Sequence, residues 1–126
     1  MIGSDSLVAD EGEESGLEGS RHYTRNMIAA KEKHYLMLNM DMIGRLRDNN
    51  LEVAGTGTAE GFDAMLDPVF NASGLNIKRS PGGRGPSDHA TFYGAGIPVL
   101  HFFTGLHEQY HTPRDTTDTI NCEGAV

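Results

Sequence analysis

The feature that most constrains this chain is an apolar run near its carboxyl end, residues 97–103 (IPVLHFF). Gly96 precedes the run and Thr104-Gly105 follow it, so both of its ends carry residues that favour turns. A short apolar run bounded in this way is typical of a central strand that is covered on both faces of a sheet. In sheets of this kind, functional groups lie in loops at the carboxyl ends of the strands. The loop that follows contains Tyr110 and His111, and we predict that it is functional.

Length and charge limit the classes of protein that the chain can belong to. Its 126 residues, with 37% apolar and 22% charged, suffice for one soluble domain with a core but not for two. The formal net charge of −8 argues against nucleic-acid or anionic-membrane partners. A negative net charge favours the binding of cations, although an acidic surface that keeps the protein soluble would give the same net charge. No apolar run approaches the roughly 18 residues of a membrane span.

The chain has a single cysteine, Cys122. It therefore forms no internal disulfide and no cysteine metal cluster. We expect Cys122 to be buried as a small apolar residue.

Strand-like and helix-like segments alternate along the chain, which predicts an α/β fold. We expect a three-layer sandwich with a mixed, mostly parallel sheet. Ser15 and Ser87 are predicted to cap helices, and Pro68 is predicted to kink or divide one. The predicted strands are 35–43, 51–53, 75–78 and 97–103, with a strand end at 7–9; the predicted helices are 16–23, 61–72, 87–93 and a last one near 116–120.

Polar residues stand at three of the predicted junctions between strands and loops. Glu13 and Glu14 belong to an acidic run, and Asp41 interrupts an apolar strand near its carboxyl end. Because an ionised carboxylate is costly to bury unless it is paired or bound to metal, we interpret Asp41 as a ligand in preference to a loop cap. With Tyr110 and His111, these residues offer carboxylate oxygens and an imidazole, which suit zinc.

Four stretches, in this order, resemble the zinc exopeptidase family that includes bacterial leucyl aminopeptidases, glutamate carboxypeptidase II and glutaminyl cyclase. The interval from Glu14 to Asp41 (41 − 14 = 27 residues) is also similar to that of the family. The resemblance spans nearly the whole chain, and it implies a single zinc-peptidase-like domain over residues 1–126. The four stretches are 12–20 (GEESGLEGS), 39–44 (NMDMIG), 87–92 (SDHATF) and 110–116 (YHTPRDT).

The resemblance implies a role for each matching residue. Glu13 would be the general base that activates a metal-bound water. Glu14 and His111 would bind one zinc ion, and Asp41 would bind its neighbour. Tyr110 would donate a hydrogen bond to the developing oxyanion.

The family likeness also implies supporting or substrate-side roles for Asp88, His89 and Asp115. Helix capping is the alternative interpretation for Asp88 and His89. Two further histidines lack such a match. His101 is predicted to be a satisfied core histidine, and the glycine and proline around His107 predict a loop in preference to a metal-binding helix.

The sequence departs from the family pattern before Glu13. The family's His-x-Asp motif and the bridging aspartate precede the Glu-Glu pair, whereas the twelve residues here contain no histidine. Asp5 and Asp10 lack the context of the bridging residue. We therefore expect the carboxyl-terminal part of a catalytic domain, truncated at both ends relative to the family.

Two expectations follow from this departure. A complete site would hold two zinc ions, whereas this chain should bind zinc weakly and substoichiometrically unless another chain or segment completes the ligand set. An open sheet edge should favour a homo-oligomer.

The sequence thus predicts a zinc-dependent exopeptidase of the aminopeptidase type that acts on peptides. The alternatives are a catalytically degenerate interaction module and a single-zinc transferase like glutaminyl cyclase, which would not need Asp41 as a ligand.

Overall fold

Four strands form one sheet. The computed structural model describes residues 12–125, so the strand end expected at 7–9, together with Asp5 and Asp10, lies outside the described residues. The order of the strands across the sheet is β1-β4-β2-β3, which makes β4 central, as predicted for the apolar run. The strands are β1 (Met37–Asp41), β2 (Asn50–Ala54), β3 (Asn76–Ser80) and β4 (Val99–Phe103).

The strand directions bring two predicted functional segments to the same edge of the sheet. β1 and β4 are parallel, with Asp41 opposite Phe103. β2 and β3 are also parallel, whereas β2 and β4 are antiparallel, so the sheet is mixed and mostly parallel, as expected. Because parallel neighbours end at the same edge, Asp41 and the loop after Phe103 leave the sheet side by side.

Helices cover both faces of the sheet, which confirms the three-layer sandwich. On one face, Phe62, Leu66 and Phe70 pack against Val53 and Leu100. On the other face, Phe92, Ile97 and Val99 form the core together with Tyr23, Met27 and Met37. The helices are α1 (Glu18–Arg25), α2 (Phe62–Ala72) and α3 (His89–Gly94), with 3-10 turns at Lys31–Lys33, Ile43–Arg45, Thr117–Thr119 and Glu123–Ala125.

The predicted helix caps are wrong. Ser15 lies in a tight turn in which its N–H donates to the Gly12 carbonyl at 3.1 Å, and α1 starts only after Leu17, which has a left-handed φ of 63°. Ser87 does not cap α3, because its hydroxyl instead accepts a hydrogen bond from Asn39 at 2.8 Å.

Three further local predictions concern Pro68, which was expected to kink or divide its helix, Cys122 and the last helix. Pro68 does not divide α2, which runs on as one helix although the proline cannot donate to the Ala64 carbonyl. The buried Leu66 and Phe70 on either side anchor the helix to the core and offset that loss. Cys122 is exposed, because the segment around it forms short turns on the surface. The last predicted helix is reduced to the 3-10 turn at Thr117–Thr119.

The outer side of the sheet at β1 is open in the part of the chain that the structure describes. Helix α2 packs over β2, β3 and β4. Leu38 and Met40 lie on that same face, opposite Leu100 and Phe102 of β4, and are 54% and 61% exposed. An exposed apolar edge of this kind is what the sequence predicted. None of the helices within residues 12–125 has the length and apolar character of a membrane span.

Candidate active site

The turn before α1 and the loop after β4 meet at the rim of the sheet. Glu14 lies in the turn, and its Oε1 is 2.7 Å from Nε2 of His111. His111 adopts a left-handed backbone conformation with φ 54°, which turns its ring toward Glu14. The ring of Tyr110 stacks on that of His111, with 3.8 Å between centroids. The two residues that were predicted to share one zinc ion are therefore in direct contact.

An open cavity of about 760 Å³ lies beside this contact. Five of the predicted site residues line it, whereas His111, Asp88 and Asp115 do not. The five are Glu13, Glu14, Asp41, His89 and Tyr110.

Asp41 ends β1 and faces the same side of the sheet as His101. Its Oδ2 is 3.4 Å from Nε2 of His101. Interaction with the His101 ring lowers the pKa of Asp41, assisted by the Ser87 hydroxyl and opposed by burial. Asp41 is therefore ionised at neutral pH, as a metal ligand must be. The next residue, Met42, has a left-handed φ of 53°.

Glu13 differs from Asp41 in the direction of its pKa shift. Burial raises the pKa of Glu13, and the charges of Glu14, Asp88 and Asp41 raise it further, whereas the Ser87 hydroxyl opposes them. A carboxylate with a raised pKa is a stronger acceptor for a water proton.

Sequence reasoning missed Ser87 and Asn39. Ser87 is 4% exposed, accepts a hydrogen bond from Asn39 and interacts with both Glu13 and Asp41. The signal was available for Asn39, because alternation along a strand puts residues 39 and 41 on the same face. For Ser87 the signal was its position at the start of the 87–92 stretch, because the family resemblance gave site-side roles to Asp88 and His89 beside it.

His89 and His101 form a stacked pair, with 4.2 Å between ring centroids. Burial, and then the neighbouring His101, lowers the pKa of His89 to about 4, and the side chain is therefore neutral at physiological pH. Nε2 of each ring is buried without a hydrogen-bond partner among residues 12–125. His101 is buried, as predicted, but it is not satisfied, because its Nε2 makes no hydrogen bond within the described residues and only approaches Asp41 Oδ2 at 3.4 Å.

Tyr110 is placed to act as a neutral hydrogen-bond donor. Its side chain is partly exposed at the cavity. Desolvation, followed by the charges of Glu14, Asp41 and Glu13, raises the pKa of its phenol. The hydroxyl therefore keeps its proton at neutral pH.

Asp88 and Asp115 lie away from the cavity wall. Asp88 occupies the position before α3 but makes no side-chain cap bond, and its Oδ1 has no partner within the described residues. Asp115 instead binds Arg45, with 2.5 Å between Oδ1 and Nη1. Their predicted supporting roles stay predictions.

The side chains at the site offer atoms of the types that bind zinc, but fewer of them converge than a catalytic zinc ion needs. The contact between Glu14 and His111 offers a carboxylate oxygen and an imidazole nitrogen, both suitable zinc ligands. A catalytic zinc usually takes three protein ligands, and within residues 12–125 no three histidine, cysteine, aspartate or glutamate side chains converge closely enough to hold a metal ion. Asp41 shares the cavity but belongs to no such group.

Comparison with known proteins points to one family. Residues 6–126 match the model of Peptidase family M28. The leupeptin-inactivating enzyme 1 of Streptomyces exfoliatus is 37% identical over 94 residues, which are 74% of this chain and 21% of that protein. The chain therefore spans about a fifth of the length of this curated relative.

Solved structures show the same fold. An aminopeptidase from Aneurinibacillus sp. strain AM-1 matches with a TM-score of 0.70 and 29% identity, over 90% of this chain and 28% of that chain. BSAP, a zinc aminopeptidase from Bacillus subtilis, matches with a TM-score of 0.73 and 25% identity, over 93% of this chain and 31% of that chain.

Proposed function

Because this chain belongs to Peptidase family M28, we propose that it supplies part of the active site of a zinc-dependent exopeptidase of the aminopeptidase type. The contact between Glu14 and His111, at a cavity shared with Glu13 and Asp41, is the observation that carries the proposal. The similarity to aminopeptidases supports the direction of cleavage.

The cavity suits the amino terminus of a peptide. Its lining includes four acidic residues and three basic ones, and among the acidic residues Glu13, Glu14 and Asp41 belong to the predicted zinc site. The other charged lining residues are Glu52, Lys78, Arg79 and Arg84. Glu13, Glu14 and Asp41 would attract both a metal cation and the substrate ammonium group, since each positive charge relieves the repulsion between the carboxylates.

Glu13 is the proposed general base. Its carboxylate would take one proton from a water molecule as the water oxygen attacks the scissile carbonyl carbon. When the bond between carbon and nitrogen breaks, Glu13 would pass that proton to the leaving amine, which restores the carboxylate. The raised pKa of Glu13 favours the first transfer, in which its carboxylate accepts the water proton.

Tyr110 is the proposed oxyanion donor. Desolvation, and then the charges of the surrounding carboxylates, raise the pKa of its phenol, which would donate a hydrogen bond to the carbonyl oxygen as negative charge develops there.

Zinc, when bound, would polarise the scissile carbonyl and lower the pKa of water. Glu14 and His111 would hold one ion, and Asp41 would hold its neighbour. We propose that a segment or chain beyond these residues completes both ligand sets, so that residues 1–126 alone bind zinc weakly and below two ions per chain. Metal analysis after dialysis that finds two tightly held zinc ions per chain would overturn this part of the proposal.

The shortage of donors favours one alternative, a catalytically degenerate interaction module, because no three candidate ligands converge in the described part of the chain. A cyclase-like transferase is a further alternative, which would not require Asp41 as a ligand.

Hydrolysis of aminoacyl nitroanilides in the presence of zinc separates these possibilities. A peptidase releases the chromophore and loses that activity with Glu13→Gln. Absence of turnover in a protein that has zinc bound would refute the proposal. Cyclisation of an amino-terminal glutamine without nitroanilide cleavage would favour the transferase.

A further inference from the structure

Arg45 connects the two segments that carry the predicted zinc ligands. It lies in the 3-10 turn at Ile43–Arg45, directly after β1 and Asp41. Its guanidinium donates hydrogen bonds to three side chains of the loop that carries His111, although only 12% of the Arg45 side chain is exposed. The acceptors are Asp115 Oδ1 at 2.5 Å, Thr119 Oγ1 at 2.5 Å and Gln109 Oε1 at 2.7 Å.

The loop is supported from within mainly by short-range contacts, which include the Thr112 hydroxyl donating to the Gln109 carbonyl at 2.8 Å. Its main chain forms isolated turns, in which the N–H groups of Tyr110 and Thr112 donate to carbonyls three residues earlier, each at 3.0 Å. His111 adds a left-handed backbone conformation, which is unfavourable for a residue with a Cβ. Such a conformation persists only where surrounding contacts enforce it. The three bonds from Arg45 begin at Gln109 and continue beyond His111, so they hold the loop on both sides of that residue.

A second set of contacts extends from Asp115 to the site. Asp115 Oδ2 lies 3.7 Å from Nε2 of His107, whose side chain is only 2% exposed. The His107 ring meets the Tyr110 ring edge-on, with 6.3 Å between centroids. Asp115 is thus linked through His107 to the ring of Tyr110.

We propose that Arg45 is the positioning residue that holds His111 against Glu14. It touches neither residue and acts through the loop. Only a guanidinium offers several donors in a fixed plane, and a lysine ammonium at the end of a flexible stem would not reproduce three divergent bonds. Arg47 contacts a different part of the loop. It donates hydrogen bonds to the carbonyls of Thr104, Gly105 and Leu106, where the loop begins.

The effect of Arg45 on zinc affinity rests on the proposed function, whereas its effect on the position of the His111 ring does not. The test therefore has two parts, both with Arg45→Lys, which keeps the charge. Arg79→Lys is the matched control. Arg79 borders the cavity, but its guanidinium forms a 2.5 Å ion pair with Asp67 and lies over the Phe70 ring, both in α2 on the other face of the sheet.

The first part needs no metal. Nitrogen-15 NMR of the His111 ring and amide hydrogen exchange at Tyr110 and Thr112 are compared between the variants. Arg45→Lys should shift the His111 signals and accelerate exchange in the loop about 10-fold or more, whereas Arg79→Lys should leave both unchanged. A wild-type His111 spectrum and wild-type exchange in Arg45→Lys would overturn the proposal.

The second part is a zinc titration. Loss of an indirect support of this kind lowers metal affinity by about 10- to 100-fold, and we expect that loss for Arg45→Lys and not for the control. If the wild-type protein binds no zinc, the proposed function fails, and the metal-free comparison still decides the role of Arg45. Should Arg45→Lys not fold, Asp115→Asn removes one acceptor charge and must produce the same loop effects for the proposal to survive.

Discussion

His111 Nε2 lies 2.7 Å from Glu14 Oε1, a contact that joins the loop after the last strand to the turn before the first helix. If the pair binds one zinc ion, His111→Ala and Glu14→Gln should each lower zinc affinity at least about 10-fold, and the double variant should lose less than the sum of the two. A competition titration with a zinc chelator measures all three. His22→Ala, an exposed change in α1, is the control. If the losses of zinc-binding free energy are additive, Glu14 and His111 do not bind the same zinc ion.

Removal of the Glu13 carboxylate should abolish catalysis and spare metal binding. We expect Glu13→Gln to lower kcat for nitroanilide hydrolysis by about 10²- to 10⁴-fold, because the amide cannot accept the water proton. Zinc affinity should change by less than about twofold. Glu18→Gln, in the exposed first turn of α1, controls for loss of a nearby charge. An active Glu13→Gln enzyme would require another base.

Acid should destabilise the fold through His89. The pKa of His89 is lowered from 6.5 to about 4, so the unfolded chain takes up a proton first as the pH falls. Between about pH 7 and pH 4, the free energy of unfolding should therefore decrease by roughly 3 kcal/mol on account of this residue.

Urea unfolding at several pH values measures that decrease. His89→Gln should reduce the pH dependence, whereas His22→Gln, which changes an exposed histidine, should leave it intact. An unchanged pH profile in His89→Gln would contradict the assignment.

The open edge of β1 should make the chain self-associate. Within residues 12–125, β1 has a strand neighbour on one side only, and this edge together with the exposed side chains of Leu38 and Met40 favours pairing with the same edge of a second copy. Sedimentation should show a concentration-dependent dimer that Leu38→Lys together with Met40→Lys abolishes. Met65→Lys, which changes a side chain of α2 that is 53% exposed, should not. A strictly monomeric wild-type protein would rule this out.

Much of the fold follows from hydrophobic patterning alone. The apolar run at 97–103 predicted the central strand, and the spacing of Phe62, Leu66 and Phe70 predicted α2. These predictions succeed because α2 buries one apolar stripe and β4 buries apolar side chains on both faces. The predicted cap at Ser87 failed for a tertiary reason, since its hydroxyl accepts a hydrogen bond from Asn39 of a distant strand. The cap at Ser15 failed because a local turn delays the start of α1.

The site was only partly predictable. Motif resemblance found Glu14 and His111, which the structure brings together, and Asp41, which it places at the same cavity. It did not find the stacking of His89 on His101, or Arg45. Both depend on contacts between segments far apart in the chain, and no local pattern encodes such contacts.

The left-handed backbone of Met42 and of His111 has a consequence for attempts to engineer this protein. Glycine at either position would ease the main chain by about 1 kcal/mol or more. At His111 the change to glycine would also remove the imidazole. At Met42 it would make the backbone next to Asp41 more flexible. A library of variants selected only for thermal stability would therefore enrich substitutions that weaken the proposed metal site.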